Sequence, residues 1–395
     1  MNILIISSMY PSKALPHHGV FVKNRIMSVA KHCNVKVVCP IPYFPFGTLL
    51  KRYSFRKEIP KVDIIDNIEV FYPRFLSIPR FFKPLDGLFL FLSCMIFIKT
   101  HLKNYDFDLI DSHLAYPDGF GSVLLGKIFK KPVTITLRGH DINSFPEYPV
   151  RFRQIKYALN QSDKVFSVAQ ALKDQAVRFG IDERKIVLST NGVKTSIFRP
   201  HDMAQARHDL DLPQDKTIIV SVGNLVERKG FHILLQALRI VLDAGRTNAY
   251  LVIVGGPGEE GDYSTTLKSL IQELKLTPHV RMTGPQSHDD LPLWYSASNF
   301  SCLASSKEGW ANVLLESLAC GKPVVATNVW GTPEVLCSPE YGILTERTPI
   351  ALAKAMSHAM DASWDTHAIL SYAKQNTWDK VAENIIQNYK AILER

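Results

Sequence analysis

Short runs of Val, Ile and Leu alternate along the whole chain with stretches in which apolar residues return every three or four positions. In the first half NILIIS, VKVVCP, LIDSH, VTITL and KVFSV are short, rich in β-branched residues and bounded by polar or turn residues, so each is predicted to be a strand. Helical spacing between them, clearest over 22–31 and 151–160, makes the winding βαβ and the sheet parallel. The alternation then starts afresh. IIVSVG, AYLVIVGG, VRMTG, FSCLAS and PVVAT are predicted strands, with helices over 230–244, 264–274, 290–297 and 313–320. No strand recurs at a fixed short period, which argues against a solenoid. Between the two sets, 191–213 carries Gly192, Pro200 and Pro213 with little apolar periodicity and reads as a linker. The expected fold class is α/β, with two doubly wound, Rossmann-like domains over 1–195 and 196–376. Such sheets bind ligands at the carboxyl ends of their strands, so two of them facing each other would form a cleft.

Composition adds limits. At 395 residues the chain has about twice the usual length of one domain. Its 46% hydrophobic and 21% charged content argues against long disorder. The six cysteines are scattered without a CxxC pair and are read as reduced thiols, which favours the cytoplasm and disfavours structural zinc. The first residues, MNILIISSMYPS, have no basic region ahead of a brief apolar run and are not read as a signal peptide. The longest apolar run, GLFLFLSCMIFI over 87–98, would be about 18 Å long as a helix, against a hydrocarbon core of about 30 Å, and cannot span. It is expected to be a buried core helix, with a helix lying on lipid as the alternative.

Charge changes the picture more. Residues 1–199 hold 29 Lys and Arg against 15 Asp and Glu, whereas the remainder holds 17 against 22. The first half therefore calls for an anionic partner: nucleic acid, anionic lipid or a phosphorylated substrate. Nucleic acid is the weakest of these, because the chain has no aromatic-basic RNP pattern, zinc-finger spacing or basic helix with heptads. Over 51–83, cations including Arg52, Arg56, Lys57 and Arg80 are interleaved with phenylalanines and tyrosines, a mixture that suits a lipid headgroup region. These four cations are the predicted membrane or acceptor surface.

Candidate chemistry lies in the loops at the strand ends. In SSKEGWANVLLESLACGKPVVAT a strand leads through Glu308 and Gly309 into a helix carrying Glu316, eight positions on. Carboxylates there can accept hydrogen bonds from sugar and ribose hydroxyls, while the amides of Gly309, Trp310, Ala311 and Asn312 suit a diphosphate. A helical glutamate is, on the other hand, more often simply solvated. VSVGNLVERKG places Arg228 and Lys229 at the mouth of the next helix, where cations could neutralise a departing diphosphate, although such a pair is commonly surface charge. LRGHDIN brings Arg138, His140 and Asp141 out at another strand end, and in PHHGVFVKNRI Gly19 stands just before a helix, where it lets backbone approach a ligand closely.

Taken in this order, these segments resemble the retaining glycosyltransferases of family 4, also called glycosyl transferases group 1. Glu308 and Glu316 match the family's E-x7-E motif, and the match runs on through SLACGKPVVATNVWGTPEVL. The Gly19 loop, RGHD, NGV over 191–193 and TWDKVAENIIQNY also look like family features, so the resemblance covers essentially the whole chain. It implies the GT-B fold, a last helix over 377–395 returning to the first domain, retention of anomeric configuration, and no metal or other cofactor. It implies that Glu316 holds the ribose hydroxyls, Glu308 the donor sugar, Lys229 with Arg228 the diphosphate, His140 the sugar near the reacting carbon, and Gly19 the diphosphate or acceptor. It further implies a front-face displacement in which the leaving phosphate helps deprotonate the acceptor hydroxyl, so that catalysis is preorganised electrostatics more than proton transfer. One position departs from the pattern. Many members have arginine where this chain has Asn224, so either Arg228 supplies the missing charge or the phosphate contacts are rearranged.

The expected partners are thus a UDP- or GDP-linked sugar, a lipid-linked or other glycan acceptor for a cell-surface polysaccharide, and an anionic membrane, with the protein peripheral at the inner face of the cell membrane. Nucleic acid is not expected. Another nucleotide-sugar enzyme of this fold, such as an epimerase, would share much of the pattern; a non-enzymatic basic membrane-binding protein would leave the E-x7-E loop unexplained.

Overall fold

The computed structural model describes residues 1–16, 18–44, 58–78, 80–258 and 260–394. The chain forms two compact units, one of residues 1–191 joined by 378–395, the other of residues 192–377. In the first unit the strands are β1 (Asn2–Ile6), β2 (Asn34–Val38), β3 (Ile41–Tyr43), β4 (Val62–Ile65), β5 (Ile68–Phe71), β6 (Arg74–Leu76), β7 (Leu109–His113), β8 (Val133–Leu137), β9 (Lys164–Ser167) and β10 (Ile186–Leu188). Eight of them form one sheet in the order β10-β9-β8-β7-β1-β2-β5-β4, parallel except for the β4–β5 pair, while β3 and β6 pair separately. The second unit contains β11 (Thr217–Val222), β12 (Ala249–Val254), β13 (Val280–Gly284), β14 (Phe300–Leu303), β15 (Val324–Thr327) and β16 (Gly342–Thr345), all parallel in the order β13-β12-β11-β14-β15-β16.

The strands read as unbroken apolar runs because both faces of each sheet are covered by helices. All five residues of β7 and of β8 are buried, as are Ile3 to Ile6 of β1. In the first unit the terminal helix Trp378–Leu393 closes the core: Trp378, Val381, Ala382, Ile385, Ile386 and Tyr389 recur at helical spacing and pack with Ile3, Val22 and Ile26. Full burial of each large aliphatic or aromatic side chain of this kind contributes roughly 1.5–3 kcal/mol. All six cysteines are free thiols, four of them buried.

Three expectations need correction or restriction. The stretch read as a linker contains the helix Met203–Asp209, capped by Asp202, whose carboxylate accepts the Gln205 N–H at 2.8 Å. Buried Arg207 in that helix ties it to Ala297 O, Gln214 O and Asn299 Oδ1, so this segment is part of the second unit and not a tether. The run over 87–98 is not a core helix: within the helix Asp86–His101, Leu90, Cys94 and Ile98 are buried but Leu88, Leu92 and Ile96 are 40%, 39% and 59% exposed. Exposed Phe82 and Leu85 extend that apolar stripe. An evenly apolar run has no polar position to mark its outer face, which is why periodicity could not reveal it. Among the described residues no helix is long and apolar enough to cross a membrane. Finally, Arg52, Arg56 and Lys57 lie outside the described residues, and Arg80 begins the 3-10 turn Arg80–Leu85 with its side chain likewise outside them.

Candidate active site

In a doubly wound sheet, the ligand crevice opens where the strand order reverses, at the carboxyl ends of the strands on either side. In the second unit that point lies between β11 and β14. From β11 the chain passes Gly223 and Asn224 into the 3-10 turn Glu227–Lys229 and then the helix Phe231–Asp243. Gly230, at φ +72°, makes the junction. A Cβ there would stand 2.0 Å from Ala304 O, so only glycine lets this turn lie against the end of β14.

That approach brings Lys229 Nζ within 2.7 Å of Glu308 Oε1, while Ser305 Oγ donates to the same oxygen at 2.6 Å. Glu308 is 8% exposed. Burial alone would raise its carboxyl, but the charges of Lys229 and Arg228 and the two hydrogen bonds outweigh burial and hold it below its ordinary value. Arg228 sits at the rim. Its guanidinium clasps Glu260 through Nε and Nη2 at 3.0 and 2.6 Å and donates from Nη1 to Lys307 O at 2.9 Å. Asn224 is exposed, so positive charge at this strand end comes from Lys229 and Arg228, both facing carboxylates.

The helix after Glu308 is Asn312–Ala319, with no side-chain cap at its start. The amide of Asn312 donates to Trp310 O at 3.1 Å, and Trp310 is buried with its Nε1 lacking a hydrogen-bond partner. Gly309 is half-buried and Ala311 buried. Glu316, one turn in, is no solvated helix residue: it is 9% exposed, accepts the Tyr295 hydroxyl at 3.2 Å and lies 3.3 Å from His288 Nε2. Sequence reading missed both partners, which stand in the PQSHDDLPLWYSAS segment with nothing local to point them at Glu316.

In the first unit the strand order reverses between β1 and β7. Here Ser8, just past β1, donates from its N–H and Oγ to Asp118 Oδ2 at 2.8 and 3.0 Å, bridging the reversal point. Asp118 is fully buried, its Oδ1 has no partner, and burial pushes its carboxyl up to about 7 against the help of the Ser8 bonds. Asp141 is also fully buried and accepts three backbone N–H groups, from Ala115 at 2.9 Å, Arg138 at 3.1 Å and Gly139 at 2.8 Å. Its neighbour His140 is exposed at the head of the short helix His140–Asn143. Arg138 turns inward, with Nη2 2.6 Å from His113 Nδ1 and Nη1 donating to Asn191 Oδ1 at 2.8 Å. Gly19 has φ +69° and a Cβ there would stand 2.5 Å from Met9 O, so the close approach it permits within this unit is to Met9. Ser8, His113 and Asp118 were not singled out from sequence, although LAYPDG directly follows the predicted strand LIDSH, which contains His113.

Two sequence patterns in the chain carry other associations. Gly256, Gly258 and Gly261 have dinucleotide-fingerprint spacing, but they follow β12, the second strand of the winding, whereas that fingerprint belongs to the turn after the first. The Asp-x-Asp triplets at 106–108 and 209–211 are engaged structurally: Asp106 pairs with Lys131, Asp108 accepts the Asn2 N–H, and Asp209 accepts from Gln205. Among the described residues no group of three His, Cys, Asp or Glu is placed to hold a metal ion.

Comparison with known proteins supplies the family. The model described as Glycosyl transferases group 1 matches residues 202–377, and that described as Glycosyltransferase Family 4 matches 29–197. TuaC of Bacillus subtilis (strain 168), whose name places it in teichuronic acid biosynthesis as a glycosyltransferase, is 28% identical over 366 residues, 90% of this chain and 88% of its own. The N-acetyl-alpha-D-glucosaminyl L-malate synthase of Bacillus anthracis is 26% identical over 241 residues, 60% of this chain and 61% of its own. Among solved structures, Anabaena Alr3699/HepE in complex with UDP superposes with a TM-score of 0.75 at 21% identity, covering 99% of this chain and 100% of that one. Sucrose-phosphate synthase from Thermosynechococcus elongatus gives 0.79 at 20% identity, covering 100% and 99%. With both halves matched by models of one family and the two-sheet backbone shared along its length with these structures, the chain belongs to glycosyltransferase family 4, a retaining family of GT-B fold that uses nucleotide sugars.

Proposed function

We propose that this protein transfers a hexose from a UDP- or GDP-linked donor, with retention and without a metal ion, to a lipid-linked precursor of a cell-surface polysaccharide. The observation that carries this reading is the Lys229–Glu308–Ser305 cluster at the reversal point of the second sheet, with Glu316 buried one turn into the following helix. Glu316 receives the ribose hydroxyls, Glu308 the hydroxyls of the donor sugar, and Lys229 with Arg228 the diphosphate. In the structure each cation faces a carboxylate, Lys229 on Glu308 and Arg228 on Glu260. A diphosphate entering here competes for both cations, and as Lys229 turns to it the Glu308 carboxylate becomes available to the sugar. Charge builds on the diphosphate as the bond to the sugar breaks, so cations fixed beside it act more strongly on the transition state than on the bound donor. His140, exposed on the first unit, serves the sugar near the reacting carbon, and Gly19 the loop that meets the diphosphate or acceptor. The UDP bound by HepE and the teichuronic acid role in the name of TuaC favour a uridine donor and an envelope acceptor.

The test is a panel of UDP- and GDP-sugars, each assayed for binding and slow hydrolysis with and without EDTA, with the product anomer read by NMR. Retention in EDTA with one sugar preferred is the expected result; an inverted product or full loss of activity in EDTA would overturn the mechanism.

The basic first half and the exposed stripe of Phe82, Leu85, Leu88, Leu92 and Ile96 support peripheral docking on an anionic membrane at the cytoplasmic face. Sedimentation should recover the protein with acidic but not neutral liposomes, and charge reversal at Arg52, Arg56, Lys57 and Arg80, or Ile96→Asp, should release it. Equal recovery on both liposomes would refute the electrostatic part of this reading and leave the transferase assignment standing.

A further inference from the structure

Glu316 is held from two sides. Tyr295, in the helix Leu291–Ala297, donates its hydroxyl to Oε2 at 3.2 Å from the interior, where it is 1% exposed. His288 Nε2 lies 3.3 Å from Oε1 on the open side, its side chain 27% exposed. Between them sits buried Phe198, whose ring is 4.9 Å from the imidazole at 73° and 6.3 Å from the Tyr295 ring, so both partners are held by the same wedge. Burial and the adjoining Glu316 charge push the Tyr295 phenol well above its ordinary value, which keeps it a donor at any working pH.

An ionised carboxylate has about four acceptor positions, two on each oxygen. The clamp occupies one on Oε2 and, when Nε2 carries its proton toward Glu316, one on Oε1, which leaves one on each oxygen. Two free acceptors on one planar group match two neighbouring hydroxyls. The terminal torsion of a free glutamate is broad, so an untethered carboxylate could turn to follow a single hydroxyl; a tethered one cannot. A ligand lacking one of the two hydroxyls would then leave a buried acceptor unmet, the condition under which sites discriminate most strongly.

We propose that Tyr295 and His288 are positioning residues that fix Glu316 as a two-point acceptor for the vicinal hydroxyls of the donor ribose, and so make the site select ribonucleotides over deoxyribonucleotides. This rests on the assignment of Glu316 to the ribose. The experiment is calorimetric binding of UDP and 2′-deoxy-UDP, with GDP and 2′-deoxy-GDP as a parallel pair, to the parent protein and to Tyr295→Phe, His288→Ala, His288→Gln and Glu316→Gln. The parent should prefer the ribonucleotide by roughly tenfold or more, the effect of one hydrogen bond to a charged group. Tyr295→Phe and His288→Ala should each cut that preference severalfold by weakening the ribonucleotide selectively, and His288→Gln, which keeps an N–H donor, should restore part of it. Tyr295→Phe removes one oxygen and His288 is partly exposed, so both variants should stay folded, and a structural role alone would not move the ratio. If Glu316→Gln loses the preference while Tyr295→Phe and His288→Ala keep it, or if these weaken both nucleotides equally, the clamp is wrong and the ribose assignment survives. If Glu316→Gln keeps the preference, the ribose assignment itself fails.

Discussion

The two units reverse their strand order in the same way and do different things with the charges found there. At the β11–β14 reversal, cations meet carboxylates side chain to side chain: Lys229 with Glu308, Arg228 with Glu260. At the β1–β7 reversal the carboxylates accept hydrogen bonds from the chain itself, Asp141 from three backbone amides and Asp118 from Ser8, while His140, next to Asp141, stays exposed. Side-chain ion pairs can be exchanged for a charged ligand without unfolding a loop, whereas amide-bound carboxylates cannot. On the proposed reading, the second unit can trade partners with a diphosphate, whereas the first holds its loops still.

The sharpest way to break this comparison is Lys229→Ala. Turnover should fall by about 10²–10³-fold, as when a donor to developing charge is removed. The same change should lower stability near neutral pH, because it leaves buried Glu308 with the Ser305 hydroxyl and only the more distant charge of Arg228, 3.8 Å away. The sign follows from the lowered Glu308 carboxyl: its contribution is present above the unfolded value of about 4.5 and fades as pH falls through the lower folded value. Adding Glu308→Gln should restore the melting temperature and leave the rate low. Recovery of both together would mean that Lys229 acts only on structure.

Next in size, Glu316→Ala should weaken free nucleotide binding by about 1.5–3 kcal/mol, whereas Glu308→Ala should spare nucleotide binding and lower turnover. Unchanged calorimetric affinity in the Glu316 variant would remove it from the nucleoside site.

In the first unit, Asp118→Asn probes the fixed loops. The Asp118 carboxyl titrates near 7 in the folded chain, above its ordinary 3.8, so the folded state holds the extra proton and the parent loses stability as pH rises between those values. The asparagine variant lacks this loss, so its stability relative to the parent should rise by roughly 2–3 kcal/mol between pH 5 and 8, whatever constant offset its weaker bonds to Ser8 add. Denaturant melts at the two pH values decide it; parallel pH profiles would mean that Asp118 is charged throughout.

The smallest effect should be at the rim. Arg228→Ala should lower turnover less than Lys229→Ala, and Glu260→Gln, by releasing Arg228, should tighten nucleotide diphosphate binding a few-fold. A Glu260 variant that binds more weakly would show that the carboxylate helps the ligand instead of competing with it.

Much of this site was legible along the chain. The strands ending at Val222 and Leu303 announce themselves by β-branched runs, and the loops that follow carry Lys229, Glu308 and Glu316 in an order whose spacing is itself informative. What could not be read is which charge meets which. Lys229 and Glu308 are 79 positions apart, and His288 and Tyr295 precede Glu316 by 28 and 21 without any periodic relation to it. The inward turn of Arg138 and Asp141 and the outward turn of Leu88, Leu92 and Ile96 were hidden for the same reason, since a polar residue can cap a backbone and an apolar run can have a wet side.

The sequence by itself determined two rounds of parallel winding and the loops where chemistry could lie, because alternation of apolar and polar residues is a local property that each element expresses alone. Only the tertiary structure decided that Glu316 is buried in a clamp and not solvated, that Lys229 neutralises Glu308, and that Asp118 bridges β1 to β7 through Ser8. Those facts depend on which strands become neighbours. Placing β11 beside β14 and β1 beside β7 sets distant loops within hydrogen-bond reach, and burial then decides the strength of every charge between them.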